Sequence, residues 1–213
     1  MTYTILNGGH SRSFPDGDAF LANASQNAEV MIYLGGAGLQ SDDEKAVILV
    51  ELGTECLGVH TGEGGTDTAG EEGSNILGFS RYRNGEDEPS DLIELVRQAH
   101  SSQAAIDAVK ALFEAAGFQV AVCSDQTGRI IDRLVRPKYN AALRFLDEGL
   151  ASAKDMDLTC RMGLGYPDGP IERVCRGGLD HHYDVTQALF ETNGTPGYAP
   201  ARRAVVAKQR QEQ

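Results

Sequence analysis

The chain has 213 residues, 41% of them hydrophobic and 23% charged, an ordinary globular composition with the length of one large domain or two small ones. A net charge of -12 argues against nucleic acid as a partner, since phosphate backbones call for clustered Lys and Arg, and no apolar run approaches the about 20 residues of a membrane span. The four cysteines, Cys56, Cys123, Cys160 and Cys175, lack CxxC spacing and read as reduced thiols, and the N-terminus lacks the basic-then-apolar order of a signal peptide, so a cytoplasmic protein without membrane contact is expected.

Taken in order, residues 2–6 read as a first strand that ends in the turn Asn7-Gly8-Gly9, and 17–24 as a short helix. Glu29 to Leu34 is a continuous apolar run followed by Gly35-Gly36-Ala37-Gly38, and Ala46 to Leu52 is a second such run. Runs of this kind suit strands buried on both faces of a parallel sheet. Residues 61–73, rich in Gly, Glu and Thr, form an acidic loop. Strand character returns at 75–82, and 83–90 is charged and turn-rich. Residues 91–100 suit a strand or a helix.

Ser102 to Ala116 is an amphipathic helix with Ala105, Ile106, Val109, Leu112 and Phe113 on one face, stopped at Gly117. Phe118 to Cys123 is one more strand. Strands interleaved with helices predict an α/β layer. From Gly128 the pattern turns helical. Ile130, Leu134, Ala142 and Leu146 belong to one long stripe, in which Pro137 predicts a kink or a broken start. Gly149 ends that helix, Ser152 caps the next, and Gly163 stops it. A third helix covers about 180–192, and 202–213 is a short helix or a frayed tail.

Several phrases stand in a specific order: Leu77-Gly78-Phe79-Ser80-Arg81-Tyr82, Leu92-Ile93-Glu94-Leu95-Val96, Gly128-Arg129-Ile130-Ile131-Asp132-Arg133, Glu148-Gly149-Leu150-Ala151, Gly165-Tyr166-Pro167-Asp168-Gly169-Pro170 and Gly178-Leu179-Asp180. The order resembles that of the 3-hydroxyacyl-CoA dehydrogenases, the NAD enzymes of fatty-acid oxidation. The resemblance implies an α/β fold: a truncated Rossmann-like parallel sheet with helices over 1–125, followed by an all-α C-terminal domain of that family over 126–213. It implies a homodimer formed through the helical domain, with Ile130, Leu134 and Leu146 in its interface, and acyl-CoA as a possible ligand.

Chemistry in that family uses a histidine base, a glutamate that orients it, a serine, an asparagine and a Gly-x-Gly-x-x-Gly turn for the dinucleotide. By resemblance the equivalent positions are Ser80 for the histidine, Glu94 for the glutamate, Glu55 for the serine and Asp132 for the asparagine. Only the glutamate is kept. Asn7-Gly8-Gly9-His10-Ser11-Arg12-Ser13-Phe14-Pro15 lacks the third glycine and places Pro15 where a helix should run. NAD is therefore implied by the family alone, and no cofactor is expected. The expected function is that of an inactive dimeric relative. Its alternatives are an active dehydrogenase with another base or a partner-completed site, and a non-enzymatic interaction module.

Other constellations are weaker. His60 lies near the expected cleft and could replace the base, and Cys56 lies four residues before it as a candidate nucleophile. Adjacent side chains on a helix point about 100° apart, so His181 and His182 read as surface histidines at a helix start rather than as metal ligands.

Overall fold

The structure is a computed structural model that describes residues 1–63 and 75–213. The acidic loop expected over 61–73 lies, from residue 64 on, outside the described residues. The chain forms two compact units, residues 1–83 with 89–129, and residues 84–88 with 130–213.

The first unit is a six-stranded mixed sheet in sequential order: β1 (Tyr3–Asn7), β2 (Val30–Leu34), β3 (Val47–Glu51), β4 (Ile76–Arg81), β5 (Leu92–Arg97) and β6 (Gln119–Ser124). Strands β1 to β4 are mutually parallel; β5 runs antiparallel to β4, and β6 parallel to β5. The segment that could have been strand or helix is therefore a strand, and the sheet is mixed rather than purely parallel. A ten-residue connection from β4 to β5 is too short for a parallel crossover, which needs a dozen residues or more.

Both faces are covered, and this explains the unbroken apolar runs. One face carries Val30, Ile32, Leu34, Leu49, Leu77, Phe79, Ile93 and Leu95 under helix α3 (Gln103–Ala115) and the aromatic cluster of Phe14, Phe20, Phe113 and Phe118. The Tyr3 and Phe14 rings each stack on Phe20 at 4.4 Å between centroids, and the Tyr3 hydroxyl donates to the Phe20 carbonyl. The other face carries Tyr33, Ile48, Val50, Ile76 and Val96 beneath Leu52, Leu57 and Leu39. Among the described residues, only two short helices, α1 (Ala19–Ala22) and α2 (Gly58–Thr61), join strands β1 to β4, while α3 joins β5 to β6.

The second unit is helical: α4 (Ile131–Asp147), α5 (Ala153–Leu164), α6 (Pro170–Arg176), α7 (Leu179–Asn193), a 3-10 turn at Pro196–Tyr198 and α8 (Arg202–Gln211). Helix α4 runs through Pro137 instead of breaking there. A proline lacks the N–H that would satisfy the carbonyl four residues earlier; here the Tyr198 hydroxyl donates to that Arg133 carbonyl at 3.4 Å. Helix α5 passes Gly163 and ends at Gly165, in the left-handed region at φ 69°. The phrase Gly165 to Pro170 leads into α6, with Pro170 in its first turn, where the missing N–H costs nothing. Asp157 of α5 accepts the N–H groups of Ile171 and Glu172 at 2.8 and 3.0 Å, capping α6 from a neighbouring helix. The C-terminal segment is helical in α8. No helix among the described residues is long and apolar enough to cross a membrane.

Asp157→Ala leaves two N–H groups of α6 without an acceptor. It should lower the stability of the helical unit by about 1–2 kcal/mol, read from urea unfolding followed by helical circular dichroism, with Asp157→Asn retaining part of the loss.

Candidate functional site

Glu94 lies in the middle of β5, opposite Ser80 in the antiparallel ladder. It is 4% exposed. A carboxylate taken out of water needs a charged partner, and Arg129 provides one: its Nε lies 3.6 Å from the Glu94 carboxylate, and both side chains are almost fully buried. The guanidinium also donates to the Glu55 carbonyl at 3.3 Å and to the Gly53 carbonyl, while Gly128 N–H reaches the Thr54 carbonyl at 2.8 Å. Arg129 adopts φ 46°, a left-handed conformation that a non-glycine residue holds only when its surroundings fix it. Four contacts of one dipeptide thus bind the turn after β3 to the buried face of β5.

Glu55 itself faces elsewhere. Its carboxylate accepts Gly53 N–H at 2.9 Å and lies 3.4 Å from His60 Nε2. Burial acts to raise its pKa, but donation from the Gly53 and Glu55 amides and from His60 outweighs this and holds the carboxyl below the usual carboxylate range. His60 is therefore partnered by Glu55 and not by Cys56. The Cys56 thiol is pushed up by burial and by Asp125, which disfavours the thiolate a nucleophile requires. Asp125 is committed to α2, accepting Leu57 and Gly58 N–H at 2.6 and 2.8 Å.

The structure thus brings Glu94 and Ser80 together and places the Glu55 backbone on the same guanidinium. Asp132 belongs to the second unit, where it accepts Arg136 Nε at 2.8 Å. Arg136 in turn donates to His182 Nδ1 at 3.3 Å, and His182 Nε2 donates to Asn140 Oδ1 at 2.9 Å. His182 is not a surface residue: it is fully buried, and burial, with Arg136 and His181 nearby, pushes its pKa down to about 3. A neutral ring is the one that can accept from Arg136 while donating to Asn140. No group of three or more potential metal ligands occurs among the described residues.

The glycine turns do not form an open cradle. The Gly8 N–H donates to the Leu34 carbonyl at 3.0 Å, and a Cβ on Gly8 would fall 2.6 Å from the Ala37 amide nitrogen, one on Gly35 2.5 Å from the Gly9 carbonyl oxygen. The two turns are packed backbone against backbone. The helix after the first turn, α1, has four residues and a carboxylate, Asp18, at its N-cap. Arg81, whose charge could have met a phosphate, is held by Asp18 at 2.7 Å and lies over the Phe118 ring.

Arg129 and Glu51 are the functional-site residues that sequence reasoning missed. The signal at Arg129 was a charge inside an apolar phrase; at Glu51 it was a carboxylate closing an apolar strand.

Arg129→Met should cost about 3–5 kcal/mol, the penalty for leaving a buried carboxylate alone. The double variant Glu94→Gln/Arg129→Met should recover a large part of that loss in urea unfolding; a double-variant loss equal to the sum of the two single losses would show that the pair is not coupled. For His182, the unfolded chain takes up a proton near pH 6.5 and the folded chain only near 3. Its contribution to stability is thus complete above pH 6.5 and lost as pH falls toward 3. His182→Gln should flatten the pH dependence of the melting temperature across that window, whatever it does to stability at neutral pH.

Residues 128–213 match the family model described as 3-hydroxyacyl-CoA dehydrogenase, C-terminal domain. The 3-hydroxybutyryl-CoA dehydrogenase of Bradyrhizobium diazoefficiens is 32% identical over 110 residues, covering 52% of this chain and 38% of that protein. The mitochondrial hydroxyacyl-coenzyme A dehydrogenase of Sus scrofa is 30% identical over 126 residues, covering 55% and 38%. These matches thus span about two-fifths of each curated relative. Among solved structures, M. tuberculosis FadB2 superposes with a TM-score of 0.72 at 20% identity, covering 87% of this chain and 67% of that one. The (S)-3-hydroxybutyryl-CoA dehydrogenase PaaH1 from Ralstonia eutropha gives 0.68 at 21%, covering 84% and 64%. At such identity the structural likeness concerns the fold. Residues 128–213 are thus similar to the C-terminal domain of the 3-hydroxyacyl-CoA dehydrogenases, and the chain shares its fold with solved structures of that kind.

Proposed function

We propose that this chain is a dimeric member of the family that does not transfer hydride. The observation that carries the reading is the Glu94–Arg129 pair. The family resemblance gives this glutamate a histidine to orient, yet Glu94 faces Ser80 and a guanidinium. A guanidinium is a hydrogen-bond donor with no acceptor site, so it cannot take the hydroxyl proton. The Ser80 hydroxyl is far too weak a base to take the role alone. The residues after β1 and β2 likewise do not fit a dinucleotide, since the glycines that would approach a pyrophosphate are closed on one another, and no step of chemistry is assigned to NAD.

A second reading, an active dehydrogenase with a different base, draws support from the His60–Glu55 pair at 3.4 Å. A carboxylate beside an imidazole is the arrangement that orients a general base. Acetoacetyl-CoA and NADH separate the two: no NADH oxidation is expected at high protein concentration, and oxidation that His60→Ala abolishes would establish the second reading instead.

The helical unit supports the dimer. Leu134 and Phe145 of α4 are 70% and 44% exposed and, eleven residues apart, share one face of the helix. Leu158 and Met162 of α5, four residues apart, are 49% and 79% exposed. Apolar side chains repeated along a helix face are characteristic of an association surface. Leu146, also expected in the interface, is half-buried and packs against the core of the unit. Light scattering at micromolar concentration should give a dimer mass, and Leu134→Asp should shift it to the monomer; a monomeric wild type would remove the assembly part of the proposal.

A further inference from the structure

We propose that Glu51 is an intramolecular anion that closes the turns after β1 and β2 to phosphate, and so determines what this end of the sheet can bind. The inference rests on the reading that the chain holds no dinucleotide, and gives it a specific cause. Strands β1, β2 and β3 are parallel and end at neighbouring residues, with Asn7 paired to Leu34 and Val50 to Tyr33. In open α/β sheets this is the end at which ligands bind.

Glu51, the last residue of β3, points its carboxylate into the donors found there. Oε1 accepts the Ser11 hydroxyl at 2.8 Å and the Ser13 N–H at 2.7 Å, and Oε2 accepts the Gly35 N–H at 2.9 Å. The Ser11 oxygen is itself held by the Phe14 N–H at 2.9 Å, which leaves its own proton directed at Glu51. Backbone N–H groups and a hydroxyl converging from two turns make an anion-binding concavity. Here the anion belongs to the chain. Ser11 and Ser13 are 3% and 1% exposed, so water cannot readily replace it, and an acceptor is required at this point.

Two effects then act against a phosphate. The carboxylate is tethered to the donors, so any competing anion faces an occupant at high effective concentration. An arriving phosphate would also meet like charge at contact distance, which is unfavourable in a partly buried setting. The close approach of Gly8 to Ala37 and of Gly35 to Gly9 prevents the turns from spreading to admit both groups. Glu51 is thus a specificity-determining residue: the donors are present but already engaged.

The test uses the full chain with Glu51→Ala, melted in sodium phosphate and in sodium chloride at matched ionic strength, with ADP as a second arm. The variant should melt below the wild type in chloride. Phosphate should raise its melting temperature by several degrees and leave the wild type unmoved. A larger shift with ADP than with phosphate identifies a nucleotide-type seat, and equal shifts a simple oxyanion seat; either supports the proposal. A folded Glu51→Ala that does not respond to phosphate or ADP overturns it, as does a wild type that responds equally. If Glu51→Ala shows no cooperative melt in either salt, Glu51→Gln decides, because its neutral amide is a weaker occupant and phosphate should still shift it; no shift overturns the proposal. NADH oxidation by the wild type would sink the inactive reading whatever Glu51→Ala does, and a phosphate-blind Glu51→Ala would sink this one whatever the turnover assay shows.

Discussion

A carboxylate buried inside a β-sheet must be matched by a positive charge, and the first unit of this protein is arranged around that requirement. Glu94 sits at the centre of β5, almost wholly buried, and Arg129 reaches it from the chain after β6. The same guanidinium holds the carbonyls of Gly53 and Glu55. Remove the arginine and three things fail together: the charge balance of β5, the anchoring of the turn after β3, and the reason for Arg129 to hold a left-handed backbone. A buried ion pair thus stands at the glutamate that the family resemblance singles out.

Carboxylates serve as internal fasteners elsewhere too. Asp125 holds the start of α2, Asp157 the start of α6, Asp18 both caps α1 and binds Arg81, and Glu51 gathers two turns. Each accepts from backbone N–H groups or a guanidinium that burial would otherwise leave unsatisfied. The acidity of the chain is thus partly architectural, since these oxygens hold helix starts and turns in place.

The strands were legible because burial on both sides leaves an unmistakable apolar run, as at Val30–Leu34 and Val47–Glu51. The amphipathic faces of α3 and α4 were legible for the corresponding reason at helical spacing. What escaped the sequence was set by contacts distant along the chain. The antiparallel turn of β5 follows from the length of a loop, and α6 follows from a cap supplied by Asp157, thirteen residues before the helix begins. Gly165 rather than Gly163 ends α5 because it adopts the left-handed geometry. His182 looked exposed beside His181, yet Arg136 and Asn140, over forty residues away, receive it in the core. In the candidate site, Glu94 and its register with Ser80 were readable, while the identity of its partner was not, because only the fold brings Arg129 to it.

The sequential strand order has a consequence for how the sheet forms. In the familiar dinucleotide-binding order the first strand lies in the interior and must wait for strands on both sides. Here every strand pairs with the one made just before it. The first three strands can associate before β5 and β6 exist, with loop closures of modest length at each addition. The order allows such a sheet to grow in one direction, each new strand adding to an edge already made. The helices of the second unit come after the six strands in the chain.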